Sequence, residues 1–265
     1  MMETNMKNIF IEGIQGAGKS TLTTKLSKKL SDYSVYTEGD ISPVELAWCS
    51  YMTEQEFNSI LKKYSEYKEE ILKNTKKEGN RYITAYTRIL TDTREFYQDM
   101  ESFEIYNARI DYDTFKLIIL DRYTKLNSFG NIFECSFFQN SIEDMMLFYQ
   151  MEDDAIIDFY SEAYNRLKDK NFKLLYIDSD NIRENIIQIK KDRVDINGNE
   201  MWFPLMMNYL KESPYGKVHN YTDIDDMISH FERRRQIEKR IINEVIKEDC
   251  IVLQSKQYDI ETLSI

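Results

Sequence analysis

The chain has 265 residues, with 35 Lys and Arg against 46 Asp and Glu and a formal net charge of −11. That balance disfavours a nucleic-acid polymer or an anionic membrane surface as partner, while a small anionic substrate can still be met by a local basic cluster. The length fits one domain carrying an elaborate insertion. No apolar run approaches the roughly 18 residues a membrane span needs, and the start from Met1 to Asn8 lacks the apolar stretch of a leader peptide, so a cytoplasmic protein is expected. Cys49, Cys135 and Cys250 are odd in number and widely spaced, which reads as packed, reduced thiols rather than a disulfide framework or zinc site.

In chain order, a strand is predicted from Asn8 to Glu12. It runs into Gly13-Ile14-Gln15-Gly16-Ala17-Gly18-Lys19-Ser20, the pattern G-x-x-x-x-G-K-[ST]. Glycines let consecutive backbone N–H groups turn inward around phosphates, and the following helix, predicted from Thr21 to Leu30, offers them its positive end. Gly13, Gln15, Gly16, Ala17, Gly18, Lys19, Ser20 and Thr21 are therefore expected to bind a nucleoside triphosphate. Lys19 reaches the β and γ phosphates and is expected to be exposed when the loop is empty. Ser20 is expected to hold Mg²⁺.

A second strand is predicted from Ser34 to Glu38, with Asp40 and Trp48 beyond it. A mostly helical insertion then runs from about 50 to 128, over the acceptor side. Thr53-Glu54-Gln55-Glu56 is a capping box opening a helix with Phe57, Ile60, Leu61, Tyr64 and Ile71 on one face, ended by Gly79-Asn80. Arg81 to Leu90, rich in β-branched and aromatic residues, reads as an extended segment beside the sheet. Phe115, Ile118, Ile119, Arg122, Tyr123 and Leu126 recur at a helical period, which places Asp121-Arg122-Tyr123 on a helix. Arg88 and Arg109 are candidate clamps for a substrate anion, with structural ion pairs as the alternative.

The third strand is predicted from Asn131 to Cys135, bringing Glu134 to a strand end where a metal-side acid is wanted. The fourth runs from Phe172 to Asp178 and the fifth from Cys250 to Gln254. Between these two, a helix from Ile182 becomes basic at Lys190, Lys191 and Arg193 and enters Asp195-Ile196-Asn197-Gly198-Asn199-Glu200. Residues 183–203 thus have the layout of a basic lid over transferring phosphates. A calcium loop is excluded there, because Arg193 and Pro204 stand where acids are required. Thr222 to Asp225 caps a long helix to about Glu248, whose Arg233-Arg234-Arg235 run reads as a solvated face. The strand and helix alternation predicts an α/β fold with a doubly wound, five-stranded parallel sheet.

The segment Glu12 to Thr21 closely resembles the first motif of deoxynucleoside kinases and thymidylate kinases. Glu38-Gly39-Asp40-Ile41-Ser42-Pro43-Val44-Glu45-Leu46-Ala47-Trp48 resembles the deoxynucleoside kinase motif E-P-V-x-x-W, with four residues between Glu38 and Pro43 where the family has none. The resemblance implies phosphoryl transfer from ATP, with Mg²⁺, to a nucleoside or nucleoside monophosphate. It further implies Glu38 or Asp40 as general base on the acceptor hydroxyl and Trp48 beside the acceptor's base. Glu134 would join Ser20 on Mg²⁺ directly or through water, and Arg193 would join Lys19 in compensating charge on the migrating group. Two other readings remain: a kinase for another hydroxylated metabolite, and a regulatory nucleotide-binding protein with little turnover. The sequence leaves homodimerisation open.

Overall fold

The structure is a computed structural model that describes residues 6–263; residues 1–5, which belong to the start read for a leader, lie outside the described residues. Strand β1 (Asn8–Gly13) leads into helix α1 (Lys19–Lys29) and strand β2 (Ser34–Tyr36). Next come β3 (Ser50–Thr53), α2 (Glu54–Lys63), α3 (Lys68–Lys73), β4 (Thr75–Glu78), β5 (Arg81–Thr84), α4 (Arg94–Glu101) and α5 (Tyr112–Lys125). The chain continues through β6 (Asn131–Glu134), α6 (Gln139–Leu147), α7 (Asp153–Leu167) and β7 (Phe172–Asp178). It ends with α8 (Ile182–Asp192), α9 (Trp202–Glu212), α10 (Pro214–Val218), α11 (Ile224–Ile241) and β8 (Cys250–Gln254). These elements form two compact units, Met1–Val35 with Asn127–Ile265, and Tyr36–Leu126.

The first unit is built on a five-stranded sheet in the order β2-β6-β1-β7-β8. β1 pairs in parallel with β6, setting Ile9 beside Ile132 and Ile11 beside Glu134, and with β7 on its other side. All six residues of β1 are buried, as expected of a central strand covered on both faces. Ile9, Ile11, Leu22, Leu26, Leu175 and Ile177 belong to one core cluster, so the strand fixes the helix that follows the loop. Along the chain the five strands take the order 2-3-1-4-5, which reverses direction beside β1 and opens a crevice at the carboxyl ends of the strands. All five predicted strands are present. β2 stops at Tyr36, however, so Glu38 sits in the following turn rather than at the strand end.

The second unit begins at Tyr36 and ends at Leu126. It is rich in helix as expected, but it also carries a three-stranded antiparallel sheet, β3-β5-β4. Gly79-Asn80 does not end a helix: it joins β4 to β5 as a two-residue hairpin turn, with Gly79 at φ 58°, a backbone that glycine adopts without strain. Arg81–Thr84 is extended, but in this small sheet rather than beside the large one. The capping box is present, with Thr53 and Glu56 exchanging hydrogen bonds of 3.3 and 2.7 Å. The helix it starts nevertheless breaks at Tyr64 into a 3-10 turn over Ser65–Tyr67 before α3.

Asp121-Arg122-Tyr123 lies within α5, as its period predicts. Arg122 is buried there, donating to Glu78 at 2.8 Å and to the Ser42 carbonyl. α11 ends at Ile241, short of the expected Glu248, and passes into a π turn over Ile242–Ile246. Among the described residues no helix is long and apolar enough to cross a membrane. The three cysteines form no disulfide, and burial pushes the Cys49 and Cys250 thiols up to about 12.

Candidate active site

The loop between β1 and α1 takes its shape from three glycines at positive φ, Gly13 at 144°, Gly16 at 77° and Gly18 at 108°. A Cβ on Gly13 would lie 2.5 Å from the Ile177 carbonyl oxygen, so backbone packs there with no room for a side chain. A Cβ on Gly18 would meet nothing within 4 Å; its requirement is conformational. Gly18 is also the N-cap of α1 and supplies no side-chain cap, no acid stands in the first turn, and Lys28 and Lys29 occupy the last. The first-turn N–H groups and the positive end of the dipole are thus left for an anion.

Lys19 is where the structure departs most from expectation. It is 8% exposed, and its Nζ donates to the carbonyls of Gly13 at 2.8 Å and Ile14 at 3.1 Å. The ammonium lies on the loop's own oxygens instead of facing solvent. The carbonyl of Ala17 accepts from Ser255, just beyond β8, at 2.8 Å.

Ser20 and Glu134 come together as predicted, the Ser20 hydroxyl donating to the Glu134 carboxylate at 2.5 Å. Residues 114 positions apart in sequence meet because β1 and β6 are neighbours in register. A hydroxyl and a carboxylate are hard oxygen donors of the kind Mg²⁺ takes alongside substrate phosphates and water, so the pair fits that ion. Glu134→Gln keeps a partner for Ser20 but loses the charge. It is expected to lower Mg²⁺-dependent turnover by about 100-fold or more. Titrating the rate with Mg²⁺ checks this, and an unchanged dependence would remove Glu134 from the metal role.

Behind the loop lies a buried ionic cluster that sequence reasoning missed. Arg234, read as part of a solvated face, has no exposed surface. It donates to Glu238 at 2.8 Å, Glu143 at 2.7 Å, Gln15 Oε1 at 3.0 Å and the Gly13 carbonyl at 3.2 Å. Glu143 also meets His230 Nε2 at 2.6 Å. Burial alone would push the Glu143 carboxyl up, but His230 and Arg234 hold it down at about 2. The flanking arginines serve elsewhere, Arg233 on Asp153 at 2.7 Å and Arg235 on Asp178 at 2.6 Å. The signal was present: Met227, Phe231, Arg234, Glu238 and Ile241 are buried at helical spacing, and three consecutive residues spread over 200° of a helix cannot all face solvent.

Glu12, the last residue before the loop's first glycine, is fully buried. It accepts from the backbone N–H groups of Phe137 at 2.6 Å and Gln139 at 3.3 Å. Burial pushes its carboxyl up to about 7 in spite of those bonds and of Lys19.

Arg193 caps the C-terminus of α8 and is exposed. The next residues close a small antiparallel bridge, Val194 to Glu200, around Asp195, which accepts from Asn197 and Asn199. Lys190 lies 4.0 Å from the centre of the Phe203 ring and 3.5 Å from Glu200. A cleft of about 550 Å³ opens elsewhere in this unit, lined among others by Glu152, Asp153, Asp154, Tyr215, His219 and Arg233. It contains no residue of the loop, and its three carboxylates oppose an anion, so it is not taken as the phosphate site.

In the second unit, Asp40 accepts from the Thr37 backbone N–H at 2.7 Å and pairs with Arg88. Glu38 is exposed. Arg109 pairs with Glu101 at 2.5 Å and lies 3.6 Å from Glu104. Both arginines are therefore engaged in ion pairs within the unit, the alternative left open for them. Trp48 is 49% exposed and holds φ 63°, a left-handed backbone that a bulky residue seldom adopts.

No family model and no curated protein matches the chain. Among solved structures it is similar to deoxyadenosine kinase from M. mycoides with bound dATP, at 16% identity over 96% of this chain and 94% of that one, with a TM-score of 0.36. The fold is α/β, a five-stranded parallel sheet in the order 2-3-1-4-5 with a glycine-shaped loop joining β1 to α1.

Proposed function

We propose that this protein transfers the γ-phosphoryl group of ATP, with Mg²⁺, to a small acceptor, a nucleoside or nucleoside monophosphate, in the cytoplasm. The single observation that carries the reading is the pairing of an uncapped, glycine-shaped helix start with Ser20 and Glu134, 2.5 Å apart at the carboxyl end of neighbouring strands. Phosphoryl transfer asks a protein mainly for positioning and charge neutralisation. Ser20 and Glu134 would hold Mg²⁺, which would supply charge neutralisation to the phosphates. The loop's backbone N–H groups bind the phosphates, and Lys19, seated on the Gly13 and Ile14 carbonyls, offers its remaining donor to the β and γ oxygens.

Arg193, exposed at the end of α8, is the proposed second cation on the migrating group. Glu38 or Asp40 takes the proton from the acceptor hydroxyl, and Trp48 offers its exposed face to the acceptor's base. Such stacking on an aromatic surface is worth about 1–3 kcal/mol. Glu38→Gln and Asp40→Asn test the assignment. At least one is expected to lower acceptor phosphorylation by about 100-fold or more with ATP affinity unchanged, and full rates in both would remove these carboxylates as the base.

A further inference from the structure

Glu134 is the last residue of β6, and the chain turns directly after it. Cys135 is buried and holds φ 57°, a left-handed backbone that a residue other than glycine keeps only where its surroundings over-determine it. The last residues of β1 help to do so. The Ile11 carbonyl accepts from the Cys135 N–H at 3.1 Å, and the Glu12 carboxylate accepts from the N–H groups of Phe137 at 2.6 Å and Gln139 at 3.3 Å. Gln139 opens α6, whose own N-cap, Phe138, makes no side-chain cap bond and whose first turn holds no acid. Glu12 thus caps that helix from another strand.

We infer that Glu12 is a positioning residue for Glu134: by its reach rather than its charge, it ties the turn behind Glu134 to the strand that carries the phosphate loop, and so fixes Glu134 against Ser20. This rests on the metal role that the functional reading gives to Ser20 and Glu134. Glu12 adjoins Gly13, the first glycine of the loop, so loop and turn are held from one stretch of backbone. The side chain is fully buried and acts through the turn. Ser20 and Glu134 meet at 2.5 Å, and Mg²⁺ demands near-ideal octahedral geometry, so a slip of the turn is felt as weaker metal binding. Partners behind a metal's ligands act in this way, by orienting the ligands they support.

Two substitutions separate reach from charge. Glu12→Asp keeps the carboxylate but withdraws it by one methylene, whereas Glu12→Gln keeps the length and an acceptor oxygen and discards the charge. At about pH 8, Glu12→Asp is expected to raise the Mg²⁺ concentration for half-maximal turnover about tenfold, and Glu12→Gln about twofold or less. In the Glu134→Gln background, where the metal acid is already gone, Glu12→Asp should add about twofold at most. A merely structural side chain would lower the urea midpoint of Glu12→Asp and leave the Mg²⁺ dependence of the folded protein unmoved. That result, an equal effect in both backgrounds, or the reverse order of the two variants overturns the inference. If Glu12→Asp fails to fold, Glu12→Gln carries the test: a half-point within about twofold of the parent supports reach, and a tenfold rise assigns Glu12 a charge role and overturns it. A parent without Mg²⁺-dependent turnover removes the functional reading, and the inference with it, whereas a parent that turns over and is matched by Glu12→Asp removes the inference alone.

Discussion

On the proposed function, Lys19→Met is expected to lower ATP-dependent phosphoryl transfer by about 10²- to 10³-fold, the usual cost of deleting one preorganised donor from a charged transition state. Met fills much of the space of the lysine stem, so the loss falls on the ammonium rather than on packing. The variant is not expected to be as stable as the parent. Lys19 is buried and bridges the carbonyls of Gly13 and Ile14, and removing those bonds costs about 1–2 kcal/mol. Because Arg234 and Ala17 still donate to the same carbonyls, the chain still folds. Turnover and MgATP affinity, measured beside a urea unfolding curve, separate the two effects. A variant with the parent's affinity and rate would remove Lys19 from the phosphates.

Glu12→Gln is expected to change markedly how stability depends on pH. The Glu12 carboxyl stands at about 7 in the folded protein against an ordinary value of 4.5, because burial disfavours its charged form. Between those values the folded chain holds a proton that the unfolded chain has released. Its contribution is therefore complete below about pH 4.5 and is lost as pH rises through about 7. The whole step is about 3 kcal/mol. Glutamine keeps an oxygen for the Phe137 and Gln139 N–H groups and carries no charge, so the variant should match the parent near pH 4 and exceed it by up to that amount at pH 8. Glu104, also raised to about 7 by burial, tilts parent and variant alike in the same direction. Chemical unfolding at a series of pH values checks this, and a parent–variant difference that stays flat across that range would show that Glu12 does not titrate there.

The central strands and the loop were legible because each is encoded locally: a buried parallel strand is a short apolar run, as β1, β6 and β7 are, and the loop needs its glycines in a fixed spacing. Glu134 was legible because β6 ends on it. The small antiparallel sheet was not. Thr75–Glu78 is Thr-Lys-Lys-Glu, a strand with no apolar face that reads as helix surface until Gly79-Asn80 is recognised as a hairpin turn. Arg234 and Lys19 were misjudged for one physical reason. A charged side chain reads as exposed from sequence, whereas here each is buried among its acceptors, Glu143 from a distant helix for one and the loop's own carbonyls for the other.

The measurement closest to the central claim is ATP consumption by the purified protein with Mg²⁺, alone and with each of a panel of nucleosides and nucleoside monophosphates, with product phosphorylation followed directly. The account predicts a low basal rate, strong stimulation by at least one acceptor, and appearance of that acceptor's phosphorylated product. Tight MgATP binding with no stimulation by any acceptor would contradict it, and would leave a protein that binds nucleotide for regulation rather than for transfer.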